Sequence, residues 1–67
     1  MKFAKRLKEI RNDKNLTQKQ LGEKLGVTDA AVRLWETQGR EPDFEMLCRI
    51  AGIFDVTVGQ LLGTEEY

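Results

Sequence analysis

The chain has no histidine, one cysteine and one proline in 67 residues, and each shortage removes a class of function. Without histidine and with a single thiol, neither a zinc site of Cys and His ligands nor a Ser/His or Cys/His nucleophile pair can be assembled. An intrachain disulfide is impossible, and neither a metal nor a cofactor is expected. A lone thiol without a signal-like apolar stretch fits a reducing compartment, and no apolar run approaches the roughly 20 residues that span a bilayer. A cytoplasmic location without a membrane partner is therefore expected. At this size a fold buries only about 60% of the surface of its unfolded chain, which leaves no room for a deep cleft beside a core. One small domain over residues 1–67 is expected, with no enzymatic activity and no small-molecule ligand.

A surplus of charge is missing too, since eleven Lys and Arg balance eleven Asp and Glu. Nucleic-acid-binding domains are often strongly basic, so the zero average counts against that partner. The distribution reverses the argument. Residues 1–33 hold nine bases against four acids, a balance of +5, and residues 34–67 hold two against seven, a balance of −5. Asymmetry between halves points to a nucleic-acid or membrane partner, although solvated helix faces that happen to segregate would give the same sums.

What is present reads as helix throughout. Phe3, Leu7 and Ile10 recur at spacings of four and three, which sets one apolar face on a helix over 2–14. Thr17 followed by Gln20 is a capping box that opens a second helix over 17–25, with Leu16 positioned to staple onto Leu21. Gly26 supplies the left-handed residue that ends it. Thr28 caps a third helix over 28–38, Val27 faces Val32, and Asp29 suits the positive end of the helix dipole. A strand over Val32–Trp35 fails because no period-two alternation extends beyond four residues. Asp43 after Pro42 caps a fourth helix over 43–54 that would carry Phe44, Leu47, Ile50, Ala51 and Phe54 inward. Thr57 and Gln60 repeat the capping box for a last helix over 57–62, with Val56 and Leu61 as its staple. The fold class is all-α, with five short helices.

Only Gly26, Val27 and Thr28 join the second and third helices. Three linking residues that include glycine force a sharp crossing, the geometry of a helix-turn-helix whose second helix can enter the major groove of DNA. Spacing alone fits a plain corner of a helical bundle equally well.

The wording of the residues adds to the spacing. The segments RLKEIRNDKNLTQKQLGEKLGV, VRLWE, REPDFEML and IAGIFDVTVGQLL follow one another in order. From Phe3 to Leu62 the chain resembles the lambda-repressor-like, Cro/CI-type (XRE) family of helix-turn-helix DNA-binding domains. That resemblance implies a prokaryotic or phage transcriptional regulator, a repressor that binds palindromic operators in double-stranded DNA as a homodimer, with helix 3 in the major groove. It gives Gln18 the role of holding a phosphate and bracing the recognition helix. It offers Thr28, Asp29, Ala30, Arg33, Leu34 and Thr37 as groove-facing residues, with Arg40 in the phosphate-contacting loop. It assigns Arg11 and Glu36 to a structural salt bridge between the first and third helices. The implied dimer surface is the loop before the fourth helix together with the fifth helix and the tail, around Val58, Leu61 and Leu62.

The chain departs from that family at informative places. Asp29 can accept from cytosine N4, Ala30 and Leu34 can touch thymine methyls, and Arg33 can reach guanine or a phosphate. Asp29 equally suits a dipole-matched first-turn residue, and Leu34 a protein contact. Gly22 stands where the family usually has Ala, which suits a close crossing of the second and third helices. Gln38 stands where the family has Gly and Gly39 follows, so helix 3 is expected to run one residue further before its left-handed end. Trp35, Phe44, Phe54 and the leucines are expected in the core, with Cys48 as a small buried apolar residue on the flank of helix 4. A protein-interaction module on the same fold, antirepressor or antitoxin-like, is the alternative function, motivated by Asp29, Ala30, Ala31 and Leu34 on the would-be groove face.

Overall fold

The computed structural model describes residues 2–67 and contains, among them, five helices and no strand: α1 Phe3–Asp13, α2 Gln18–Leu25, α3 Asp29–Thr37, α4 Phe44–Phe54 and α5 Val58–Leu62. Four of the five begin at a side-chain cap. Thr17 and Thr57 each close a full capping box, with the threonine oxygen accepting from the N–H of Gln20 or Gln60 and the glutamine oxygen accepting in return. Thr28 accepts from the Ala31 N–H and Asp43 from the Met46 N–H. At about 1 kcal/mol each, such caps matter in helices of 5 to 11 residues, which are too short to hold together by propensity.

The helix ends follow the backbone's steric rules with two exceptions, Asn15 beyond the end of α1 at φ 58° and Asp55 at the end of α4. Gly26, Gly39 and Gly63 take positive φ, as expected of residues without a Cβ. Asp55 takes φ 56° as the left-handed cap of α4, a place where glycine would be favoured and which no sequence signal marked. α3 stops at Thr37, with the Gln38 N–H bonded to the Leu34 carbonyl, and the left-handed residue comes at Gly39.

Every helix contributes to one core. Phe3, Leu7 and Ile10 of α1 meet Leu21 and Leu25 of α2, Val32 and Trp35 of α3, Ile50, Ala51 and Phe54 of α4, and Leu61 of α5. α2 lies most closely on α3, while α1 spans α3 and α5. The tail turns back across α5. The Thr64 and Glu65 N–H groups bond the Gly59 carbonyl, Arg6 of α1 donates to the carbonyls of Gln60 and Glu65, and Thr57 donates to the Glu65 carboxylate. Hydrogen bonding to the Asp13 carboxylate pushes the Tyr67 hydroxyl above its ordinary pKa. No helix among the described residues is long and apolar enough to cross a membrane.

Two core expectations are corrected. Phe44 is 74% exposed rather than buried, because the packing of α4 on α2 and α5 leaves this first-turn side chain uncovered. Cys48 is exposed as well, one turn further along the same outward ridge. Helical spacing placed Phe44 with Leu47, Ala51 and Phe54, but spacing carries no information about where a neighbouring helix ends.

The closest backbone approach lies at Gly22. A Cβ built there would stand 2.8 Å from the Val27 carbonyl oxygen and 3.2 Å from the Thr28 carbonyl. Both are backbone atoms of the turn and cannot swing aside. Gly22→Ala should therefore destabilise the fold by about 1–3 kcal/mol, although alanine is intrinsically the better helix former by about 1 kcal/mol. Urea unfolding of the two forms measures the difference, and a more stable Gly22→Ala would mean that the turn can yield.

Candidate nucleic-acid interface

The turn between α2 and α3 is fixed by its own backbone. Gly26 ends α2 at φ 75°, the Val27 N–H reaches back 2.9 Å to the Gly22 carbonyl, and Thr28 caps α3. Val27 packs against the core at the corner, and Val32 and Trp35 hold the inner side of α3. The outer side is left open. Thr28, Asp29, Arg33, Leu34 and Thr37 are exposed along it, and Ala30 is half-buried at its edge.

Behind that face an ion pair fixes the end of α3. The Arg11 Nε donates to Glu36 Oε2 at 2.7 Å and its Nη2 to Glu36 Oε1 at 3.1 Å, a two-pronged match of guanidinium and carboxylate. The third nitrogen, Nη1, donates to the Leu16 carbonyl at 2.7 Å. Gln18, half-buried in the first turn of α2, donates its amide to Glu36 Oε1 at 3.2 Å. One carboxylate thus collects α1 and the N-terminus of α2 onto α3. The side chains of Arg11 and Glu36 are 10% and 1% exposed, so the pair is largely out of water.

The N-terminus of α2 opens beside this network. Its capping box uses the N–H groups of Thr17 and Gln20, and Gln18 and Lys19 keep theirs directed off the helix end. Such donors, with the helix dipole behind them, suit an anion. On α3 the Thr37 hydroxyl donates to the Arg33 carbonyl at 2.7 Å, which leaves a methyl and an acceptor facing out. Arg33 is the one cation on that face and forms no ion pair among the described residues. Arg40 is exposed in the loop after α3, at the rim of a shallow depression floored by Phe3 and Trp35.

A helix-turn-helix family model matches residues 7–61, from Leu7 of α1 to Leu61 of α5. The chain belongs to this family. Among curated relatives, the helix-turn-helix domain is 42% identical over 66 residues to the HTH-type transcriptional activator BcrR of Enterococcus faecalis, covering 98% of this chain and 32% of the relative. It is 41% identical over 64 residues to an uncharacterized HTH-type transcriptional regulator, YqaE, of Bacillus subtilis, covering 96% and 55%. It is 35% identical over 66 residues to the HTH-type transcriptional regulator ImmR of Bacillus subtilis, covering 98% and 52%. The chain therefore spans about a third to a half of the length of these relatives. No solved structure gives a significant match. The family is one of transcriptional regulators and not of enzymes.

The surface expected to pair two copies needs a correction. Leu61 is 0% exposed, the inward residue of α5, and is unavailable to a partner. A helix of five residues has room for one inward position, and Leu61 occupies it. Val58 and Leu62 remain half-buried on either side. Sequence reasoning did not find the bond from Arg11 to the Leu16 carbonyl, because a carbonyl acceptor leaves no trace in side-chain identity.

Breaking the Arg11–Glu36 pair from either side strands a nearly buried charge. Arg11→Ala and Glu36→Ala should each cost about 3 kcal/mol or more, well beyond the 0–1 kcal/mol of a surface pair. Thermal unfolding followed by circular dichroism reads the loss, and an unchanged melting temperature in both variants would remove the pair from its structural role.

Proposed function

We propose that this helix-turn-helix domain is a sequence-specific DNA-binding module that sets α3 into the major groove. The observation that carries the reading is the open outer face of α3, with Arg33 as its one cation, held rigidly from behind by Arg11, Glu36 and Gln18. In the groove Arg33 offers two donors to guanine, Asp29 accepts from cytosine N4, and Ala30, Leu34 and the Thr37 methyl suit thymine methyls. Thr28 at the helix entry, Gln18 with the N–H groups of α2, and Arg40 meet phosphates on either side and set the register.

One such helix reads only a few base pairs. Two copies related by a two-fold axis, with recognition helices about 34 Å apart, read a palindromic operator, so the active species is a homodimer. Repression is the proposed role, since a dimer seated on a promoter excludes other proteins by occupancy. The site of action is the cytoplasm, where operator DNA is accessible.

A protein-docking reading of the same face draws on Leu34, 36% exposed on the outer side of α3 that also carries the acidic Asp29. The two readings separate in a single titration. In mobility-shift assays on sites selected from random DNA, Arg33→Ala should weaken binding by about 1–3 kcal/mol and relax one base position. With Arg33, Arg40 and Lys19 as the cations on this side, the plot of log affinity against log salt should fall with a slope of about −2 to −3 per chain, gentler than for a strongly basic domain. A chain that selects no sequence but retains a protein through Leu34 would establish the docking reading instead.

A further inference from the structure

We propose that the outward ridge of α4, formed by Phe44, Cys48 and Gly52, is the surface on which a second copy of this chain docks, with the two α4 helices antiparallel. The inference rests on the homodimer reading only in requiring a second copy, and it moves the contact away from α5, whose Leu61 is buried.

The ridge matches its own inverse. Phe44, Cys48 and Gly52 follow one another at intervals of four residues, so they form one of the rows of side chains through which helices pack. All three are exposed, and Phe44 is the most exposed large apolar side chain among the described residues, at 74%. Nothing lies within 4 Å of the position a Cβ would take at Gly52. A large knob thus stands one turn to one side of Cys48 and an open notch one turn to the other. A two-fold axis passing by Cys48 reverses the second helix and sets each Phe44 ring into the other copy's Gly52 notch, an isologous contact. The small side chains at the centre let the axes approach to about 8 Å.

The neighbouring row supplies matched charge. Glu45 and Arg49 are exposed beside the ridge, and among the described residues neither is ion-paired within its own chain. The same axis brings Arg49 beside the second copy's Glu45, about 3 Å apart along the helix direction at 1.5 Å per residue. Symmetry makes two such pairs. Asp43 and Asp55, the acidic caps at the two ends of α4, face each other across the contact and oppose it. A contact made by a single 11-residue helix falls in the class below about 1,200 Å², so the pairing is weak and reversible. It uses no residue of the α3 face.

Cys48 at the axis makes the arrangement testable on the full chain. Facing residues of helices this close fall near the Cα separation of about 4.4–6.8 Å that a disulfide spans. Sedimentation of the reduced chain should show a dimer that grows with concentration, and diamide oxidation should trap it through Cys48. Phe44→Lys should raise the dissociation constant at least about thirtyfold, as expected for a central aromatic anchor, and slow the trapping in proportion. The Phe44 ring is not part of the core, so an unchanged circular dichroism spectrum of Phe44→Lys certifies its fold. Glu45→Arg should weaken the dimer and Glu45→Arg with Arg49→Glu should restore it. A chain that stays monomeric at every concentration overturns the proposal, as does trapping at the same rate with and without Phe44→Lys. A dimer indifferent to Phe44→Lys also overturns it while leaving homodimeric operator binding intact on another surface.

Discussion

Three nitrogens of one guanidinium decide whether α3 can be presented as a rigid face. Arg11 gives two of them to Glu36 near the end of α3 and the third to the carbonyl of Leu16, just ahead of α2. Gln18 then joins the same carboxylate from the first turn of α2. A single buried node therefore fixes the relation of three helices that meet at no other polar point of comparable burial. The pair's net contribution to stability is modest in principle, because desolvating both charges offsets most of their attraction. Its effect is on geometry. A two-pronged pair tolerates little rotation, and α3 inherits that restriction at the end remote from its turn.

The turn supplies the other restraint. Gly22 and Gly26 solve different steric problems there: one removes a Cβ from beneath the Val27 and Thr28 carbonyls, and the other supplies positive φ. Between turn and ion pair, nine residues of α3 are pinned at both ends with the outer side free. That arrangement suits a ligand that is itself rigid, because little side-chain or backbone order remains to be lost on binding.

Charge is sorted by the same architecture. The basic first half builds α1, α2 and most of α3, and the acidic second half caps and flanks α4 and the tail. Zero net charge is thus the sum of two unlike halves of the chain, and Asp29 at the start of α3 tempers the basic one. With α3 in the major groove as proposed, such a distribution would limit indiscriminate attraction to phosphate and leave discrimination to a few base-edge contacts.

Most of the secondary structure could be read from the chain alone. Capping boxes at Thr17 and Thr57, caps at Thr28 and Asp43 and the left-handed Gly26 are local chemistry, fixed by residues within four positions of each other, and they set the helix limits to within one residue. Helical spacing likewise gave the inward faces of α1 and α3, since period depends only on backbone geometry. Apart from the left-handed Asp55, the exceptions are matters of what lies next to what. Phe44 follows the inward spacing of α4 yet is left uncovered by its neighbours, Cys48 shares that open side, and Leu61 faces the core because α5 is packed on α1. The outer face of α3, too, is a list of residue names until the turn and the Arg11–Glu36 pair orient it. Local sequence determined where the helices begin, end and turn apolar; only the packed structure decided which faces remained uncovered, because exposure depends on neighbours that are distant along the chain.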